Sequence, residues 1–420
     1  MNFTGEGDIW GGAARPPQPG RIKAVAETSR SNGWKIGLTE SHGAGTVQRR
    51  QTESMTPTES YQKQFGRLPD RILMLKGHSA GIGDILRSSA AWRALQNAFP
   101  QSELHLALFT PDKGYASLPF IARHHLLRGM VSVDKKMGLF RRWPQLSAWA
   151  AETARKVRPD LVIDFEWAGL YSAFAAWRLG RAARAVTAGI AELPLRGAFY
   201  NVASVSKARF ARTRGLEFPL EYTNRDFVCL SALGIERQGL QVELEETAEG
   251  RVFRESFRAR FHIPAGARVI GVNIGCGTPD AVGKRPDLKL LCAVVQEAQA
   301  ARQAVVVLTG ASFERDVNQK FTELWPGDRK PLLFDLAGQT SLLELSGLIR
   351  ACDLFISTDS GPYHMAVALG VPTLALFRAA NRIHYHQAPH VRCVVLAKED
   401  DVPSAVQAAL SVGGKEPLLR

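Results

Sequence analysis

A short apolar strand that runs into a glycine-rich turn and then a helix occurs twice in this chain, and this repetition constrains the fold more than any other feature. The first unit starts at Arg71-Ile-Leu-Met-Leu-Lys76 and turns through Gly77-His-Ser-Ala-Gly-Ile-Gly83. Asp84 then opens a helical stretch from Ile85 to Phe99, which Pro100 ends. The second starts at Arg268-Val-Ile-Gly-Val-Asn-Ile274, turns at Gly275-Cys-Gly277 and continues into a helix from Leu288 to Arg302. Strands that alternate with helices need a parallel sheet covered on both faces. Two such units in succession predict an α/β protein of two Rossmann-like domains facing across a cleft. Ligands would bind at the carboxyl ends of the strands.

Around these starts the same pattern continues. In the first unit, strands are expected at Glu103 to Phe109 and Pro159 to Asp164, with a helix from Leu170 to Leu179. In the second, strands fall at Ala304 to Thr309, Pro331 to Asp335, Leu354 to Thr358 and Val371 to Phe377. Helices fall at Phe313 to Leu324, Leu342 to Cys352 and Tyr363 to Leu369. The charged segment from Glu217 to Phe261 reads as a helical connection between domains. Residues 1–68 are rich in Gly, Pro, Ser, Thr and Arg and too poor in clustered aliphatics to offset ordering entropy, so they are expected to be a disordered arm. The boundaries expected are therefore 69–250 for the first domain, 251–400 for the second, and 401–420 for a terminal helix and tail.

Composition narrows the class. With 420 residues, 45% of them hydrophobic, the chain can bury two cores. Its longest apolar run, Met365 to Phe377, is broken by Gly370 and Pro372 and falls short of the roughly 18 residues that a spanning helix needs. The first residues include Glu6 and Asp8 and lack an apolar signal core, so a cytoplasmic protein is expected. Five cysteines without a CxxC pair point to buried thiols, not to disulfides or a zinc site. The net charge of +13 suits a polyanionic partner, but the basic residues are scattered and no recognition motif accompanies them, so nucleic acid is not expected.

Four segments carry candidate chemistry. In Ile356-Ser-Thr-Asp-Ser-Gly-Pro-Tyr-His364 a buried strand ends in a polar turn, and Pro362 opens a helix whose first N–H groups suit a diphosphate. Ser360 or Asp359 can cap that helix, and His364 lies one turn in. In His78-Ser-Ala-Gly-Ile-Gly-Asp84 the glycines allow close approach of a ligand, and Asp84 could take a proton from an attacking hydroxyl. Gly275 to Pro286 holds Lys284 and Arg285, cations able to neutralise phosphates. Arg123, Arg128, Lys135, Lys136, Arg141 and Arg142, with Leu139, Phe140 and Trp143 among them, suit an anionic membrane surface. His384, His386 and His390 have metal-like spacing but no acidic residue close in sequence, and no metal site is expected.

Taken together these motifs resemble glycosyltransferase family 9, the ADP-heptose:lipopolysaccharide heptosyltransferases, over about residues 70 to 400. The resemblance rests on Arg71 to Asp84, on Ala90 to Pro100, on Asp335-Leu-Ala-Gly-Gln-Thr-Ser-Leu342 and on Ser357-Thr-Asp-Ser-Gly-Pro-Tyr-His364. It implies a GT-B fold, a nucleotide-sugar donor held mainly by the second domain, and inversion at the anomeric carbon without a metal or other cofactor. Carried over by position, Asp84 would be the general base. Ser360, Gly361 and His364 would line the diphosphate, Asp359 would organise the loop and Lys284 would approach the phosphates. Glu314 would sit near the ribose, with Leu336 and Gly338 flanking the base. His78, Ser79, Lys135, Lys136, Arg141 and Arg142 are the acceptor-side candidates. The chain departs from the family pattern at Lys284-Arg-Pro286 and at Arg378-Ala-Ala-Asn381.

The function expected is transfer of a sugar, heptose from ADP-heptose, to a lipopolysaccharide-core or related anionic lipid-linked glycan at the cytoplasmic face of the inner membrane. Two alternatives stand beside it: a transferase of the same fold with another nucleotide sugar, and a nucleotide- or glycan-phosphate-binding protein without catalysis.

Overall fold

In the computed structural model, residues 55–77, 81–110, 118–134, 142–275 and 283–412 are described. The first domain runs α1 (Pro57–Phe65), β1 (Arg71–Gly77), α2 (Ile82–Leu86), α3 (Ser89–Ala98), β2 (Glu103–Thr110), α4 (Leu118–Ile121) and β3 (Gly129–Asp134). It continues with α5 (Arg142–Val157), β4 (Leu161–Asp164), α6 (Tyr171–Ala183), β5 (Val186–Ile190), β6 (Val202–Ser204), α7 (Lys207–Thr213) and α8 (Tyr222–Leu230). After α9 (Ala248–Arg260) the second domain runs β7 (Arg268–Asn273), α10 (Leu288–Arg302), β8 (Ala304–Thr309), α11 (Arg315–Glu323), β9 (Leu333–Asp335) and α12 (Leu342–Arg350). β10 (Leu354–Ser357), α13 (Gly361–Ala368), β11 (Thr373–Phe377), β12 (Val391–Val395) and α14 (Val402–Ser411) complete it.

Each domain is a six-stranded sheet, in the orders β3-β2-β1-β4-β5-β6 and β12-β11-β10-β7-β8-β9, and every strand pair is parallel. Both are the Rossmann order, in which the winding reverses next to the first strand and opens a crevice at the carboxyl ends. The central strands are covered on both faces, which is why Ile72 to Leu75 and Ala304 to Thr309 are buried without interruption. The two domains share apolar packing: Ile82 and Leu86 of α2 belong to the same core as Tyr363, Met365 and Ala366 of α13.

Several elements differ from the sequence reading. Order starts before residue 68, because α1 is a capped helix. Thr56 Oγ1 accepts from Glu59 N at 3.2 Å, Glu59 Oε2 accepts from Thr56 N at 2.8 Å, and Pro57 opens the first turn. Tyr61 then docks on Phe99, with ring centroids 5.2 Å apart, so one aromatic anchors a segment otherwise poor in apolar residues. The stretch expected as one helix from Ile85 to Phe99 is two, α2 and α3, separated at Arg87-Ser88. The charged connection is helical at α8, at a 3-10 turn Ser231–Leu233 that follows it, and at α9; Ile235 to Thr247 has no helix or strand.

The boundary at residue 250 falls inside α9. This helix packs so closely on α12 that a Cβ on Gly347 would lie 1.8 Å from Gly250 O, so α9 belongs with the second sheet. α14 is likewise part of that domain, because Ala405, Ala409 and Val412 are buried in its core. Strands β3, β5, β6 and β12 were not expected: β6 has three residues and alternating burial, and β12 is an edge strand only partly covered. Among the described residues no helix is long and apolar enough to cross a membrane.

Candidate active site

The second domain gathers its candidates at the carboxyl ends of β7, β8, β9 and β10. β10 ends at Ser357, and the turn that follows is tied to β7. Thr358 Oγ1 donates to Gly275 O at 2.9 Å, and Ser360 Oγ donates to Asn273 Oδ1 at 2.8 Å. Neither Ser360 nor Asp359 caps α13, contrary to the sequence reading, since their side chains are engaged elsewhere. The side chain of Ser360, the N-cap residue, thus accepts none of the first N–H groups of α13, at the positive end of the helix dipole.

Asp359 is buried beside these groups. Its Oδ1 accepts from His384 Nδ1 at 3.0 Å, and its Oδ2 lies 3.8 Å from Lys284 Nζ. Burial acts to raise the carboxyl, but the hydrogen bond from His384, followed by the charges of His384 and Lys284, holds it below the usual carboxylate range. Lys284 and Asp359 line a cavity of about 420 Å³ with Gly283, Phe377, Arg378 and Asn381, within the size range of ligand pockets. The two stretches that depart from the family pattern thus meet here, and Arg378 Nη1 donates to Gly283 O at 3.3 Å.

Glu314 fills the space between two turns. A Cβ on Gly275 would lie 1.4 Å from its Oε1, and its Oε2 accepts from Ala311 N at 2.7 Å. The turns after β7 and β8 must therefore be glycine where the carboxylate passes. Leu336 is buried, and Gly338, at φ +72°, donates its N–H to Gly310 O at 2.8 Å, which folds the segment after β9 back onto the same turn.

His364 is placed differently from the expectation. Its ring lies against the first domain, where a Cβ on Gly83 would be 2.0 Å from its Cδ2, and its Nδ1 shares a 2.9 Å hydrogen bond with His386 Nε2. Gly361 in turn approaches Ile82, whose Cγ2 would be 2.8 Å from a Cβ there. The first turns of α2 and α13 therefore touch across the domains through a glycine on each side, and half-buried Asp84 sits in that contact.

The polar surroundings of Asp84 were not foreseen. Lys76 Nζ pairs with Asp226 Oδ1 at 2.6 Å, and Glu166 Oε1 accepts from Gly77 N at 2.7 Å, so acidic partners from the loop after β4 and from α8 meet the end of β1. Arg87 is buried and crosses to the second domain. It donates to Ile383 O at 3.0 Å and His384 O at 2.6 Å, and its guanidinium lies 5.2 Å from the ring centroid of Tyr222. Each of the three spaced histidines has a partner: His384 binds Asp359, an acidic residue that sequence proximity did not show. His386 binds His364, and His390 Nε2 lies 3.0 Å from Val367 O. Among the described residues no cluster of His, Cys, Asp and Glu could hold a metal ion.

His78, Ser79, Lys135, Lys136, Leu139, Phe140 and Arg141 lie outside the described residues, and Arg142 begins α5. Among the described residues of the basic stretch, Arg123 pairs with Glu249 and Arg128 with Glu103 before β3 starts, and Trp143 is exposed on α5.

The buried histidines carry a testable consequence. Burial, then the charge of Arg87, pushes His364 and His386 well below the usual imidazole value of 6.5, and burial takes His124 down to about 4. Below pH 6.5 the unfolded chain takes up protons that the folded chain refuses. Stability should therefore fall as pH drops toward 5, by up to about 1.4 kcal/mol per pH unit for each ring. Urea unfolding across that range should show the slope, and His386→Asn should make it shallower. A flat profile would mean that the rings are protonated in the fold.

Comparison with known proteins agrees with this geometry. Residues 291–408 match the family model of glycosyltransferase family 9 (heptosyltransferase). Lipopolysaccharide heptosyltransferase 3 of Escherichia coli is 36% identical over 91 residues, a match that spans 22% of this chain and 26% of that protein. The crystal structure of the glycosyl transferase family 9 from Veillonella parvula superposes with a TM-score of 0.62 at 20% identity, covering 80% of this chain and 89% of that one. The structure of E. coli ADP-heptose LPS heptosyltransferase II gives 0.58 at 18% identity, covering 81% and 97%. The two domains form the GT-B fold, and the second domain is similar to glycosyltransferase family 9 over the matched residues.

Proposed function

We propose that this protein is an inverting, metal- and cofactor-independent glycosyltransferase. It transfers heptose from ADP-heptose to a lipopolysaccharide-core or related lipid-linked glycan at the cytoplasmic face of the inner membrane. The observation that carries the reading is the contact of α2 with α13, in which Asp84 follows the glycine that meets His364 of α13. The donor diphosphate would lie on the N–H groups at Ser360 and Gly361, with Lys284 beside it, Glu314 toward the ribose, and Leu336 and Gly338 toward the base. The acceptor hydroxyl would attack the anomeric carbon from the face opposite the diphosphate. As the new C–O bond forms and the bond to the diphosphate oxygen breaks, Asp84 takes the hydroxyl proton and nucleoside diphosphate leaves. The helix dipole and Lys284 supply positive potential where the leaving group gains charge.

The matched relatives support heptose and ADP by their own activities. The experiment is a thermal-shift series with ADP, UDP and GDP, followed by a release assay with ADP-heptose and core acceptor. Saturation at about 100-fold over Kd stabilises by about 2.7 kcal/mol, a rise of several degrees in Tm. Selective response to UDP or GDP would keep the fold and replace the donor. Absence of any response would overturn the reading. ADP binding without release on addition of acceptor would leave a non-catalytic binding protein.

A further inference from the structure

The carboxyl end of the first sheet carries an apolar edge that the transfer reaction leaves unused. After β4 the chain exposes Trp167 and Leu170, and after the neighbouring strand β5 it exposes Leu193 and Leu195. Leu195 is 82% exposed and sits at φ +65°, a left-handed conformation that a leucine rarely adopts. These loops are held in place. The buried guanidinium of Arg196 donates from Nε to Ile190 O at 3.1 Å and from Nη2 to Glu166 O at 2.6 Å, and it also donates to Gly169 O. One side chain thus ties both loops together with their apolar side chains outward. Trp143, also exposed, packs on Phe174 with ring centroids 4.7 Å apart, and Phe174 lies one helical turn from Leu170. The apolar edge therefore continues from the two loops to the start of α5.

Cations border this edge on α7, which starts beyond the carboxyl end of β6, and the loops after β4 and β5 carry two glutamates, Glu166 and Glu192. Lys207 Nζ lies 3.2 Å from the ring centroid of Trp167, and exposed Arg209 and Arg212 follow it on α7. Of the two glutamates, Glu166 accepts from Gly77 N, and Glu192 accepts from the backbone N–H of Lys207 at 2.8 Å. Separate leucine and tryptophan side chains on loop tips, with cations among them, do not form a groove for a rigid partner. They suit a fluid interface whose headgroups are anionic and whose hydrocarbon yields to any outline.

We propose that this edge, Trp143, Trp167, Leu170, Leu193 and Leu195 with Lys207, docks the protein on an anionic lipid bilayer. It lies at the same end of the sheet as the turn that leads to Asp84, so a lipid-linked acceptor would be presented beside the cleft. Only that last point rests on the proposed transfer reaction. Of the basic stretch marked in the sequence, the described part of the edge includes Trp143 alone.

The test is flotation of the full chain with vesicles of phosphatidylethanolamine and roughly one third phosphatidylglycerol, against vesicles of phosphatidylcholine. The wild-type protein should bind the anionic vesicles, and at least about tenfold less of it the zwitterionic ones. Leu193→Ser with Leu195→Ser should reduce binding about tenfold or more, and Lys207→Glu should weaken it and remove its salt dependence. Both variants should keep the Tm and the ADP-induced shift of the wild type. Absence of wild-type binding, or equal binding by the double variant, overturns the proposal. A fall in Tm of the double variant in the absence of vesicles would also overturn it, since the leucines would then be covered by protein. Vesicle binding lost in the double variant, in a protein that responds to no nucleoside diphosphate, would uphold the docking edge and sink the transferase reading instead.

Discussion

Asp84→Asn is expected to lower turnover by about 10²- to 10⁴-fold, the range that a positioned general base contributes. The substitution preserves shape and removes the carboxylate that α2 carries next to its contact with α13. Asp359 cannot replace it, because both its oxygens are engaged within the second domain, by His384 at 3.0 Å and Lys284 at 3.8 Å. The ADP-induced thermal shift should stay close to that of the wild type, since no donor group is removed. A Lys284→Ala variant should behave in the opposite way, losing nucleotide affinity first. Near-wild-type kcat in folded Asp84→Asn would assign the proton to another group. Loss of ADP binding together with kcat would mean that Asp84 holds the domains together and does not act as the base.

Arg196→Met is expected to lower folding stability by about 3–5 kcal/mol, the cost of leaving one member of a buried ion pair alone. Arg196 and Asp164 are both fully buried and meet at 2.7 Å, and the Tyr200 hydroxyl donates to the same Asp164 oxygen at 2.7 Å. Burial already pushes the Asp164 carboxyl up to about 6 against the pull of Arg196. A carboxyl raised in the folded state above its unfolded value of 3.8 costs stability as pH rises through the folded value. Without Arg196 that value rises further. The deficit of the variant relative to wild type should therefore be largest at pH 7–8 and shrink on acidification toward pH 5. Chemical denaturation of both proteins at several pH values measures this directly. Addition of Asp164→Asn should recover part of the loss. A deficit below about 1 kcal/mol, or one that does not change with pH, would show that the pair is solvated.

Central strands were legible in the sequence through their burial, although β9, none of whose three residues is buried, was also expected. β1, β7, β8 and β10 are uninterrupted apolar runs because a central parallel strand is covered on both faces. The strands that escaped notice are edges or near-edges, where β6 buries two of three residues and β12 buries only Val391. Helix α1 was missed for a different reason. Its caps are local and visible in Thr56-Pro-Thr-Glu59, but its anchor is Tyr61 on Phe99, a contact made only after α3 has folded.

Glu314, Gly338, Asp359 and Ser360 each follow a strand end within a few positions, so a shared sheet brings them to one edge and their common location follows from chain order. The roles of polar partners do not follow in this way. Asn273 ties down Ser360, His384 holds Asp359, His386 holds His364, and Arg87 joins the two domains through backbone carbonyls. Each is a pairing between segments far apart in the chain, and a hydrogen bond depends on distance and direction that spacing in sequence does not carry. Periodicity and turn chemistry are local properties, and they suffice for two Rossmann units and for the motif that marks the family. The neutrality of His364, the setting of Asp84 and the outward leucines held by Arg196 arise from the packing of one unit or loop on another. They exist only in the folded chain, where burial and fixed geometry give those same side chains their charge states and partners.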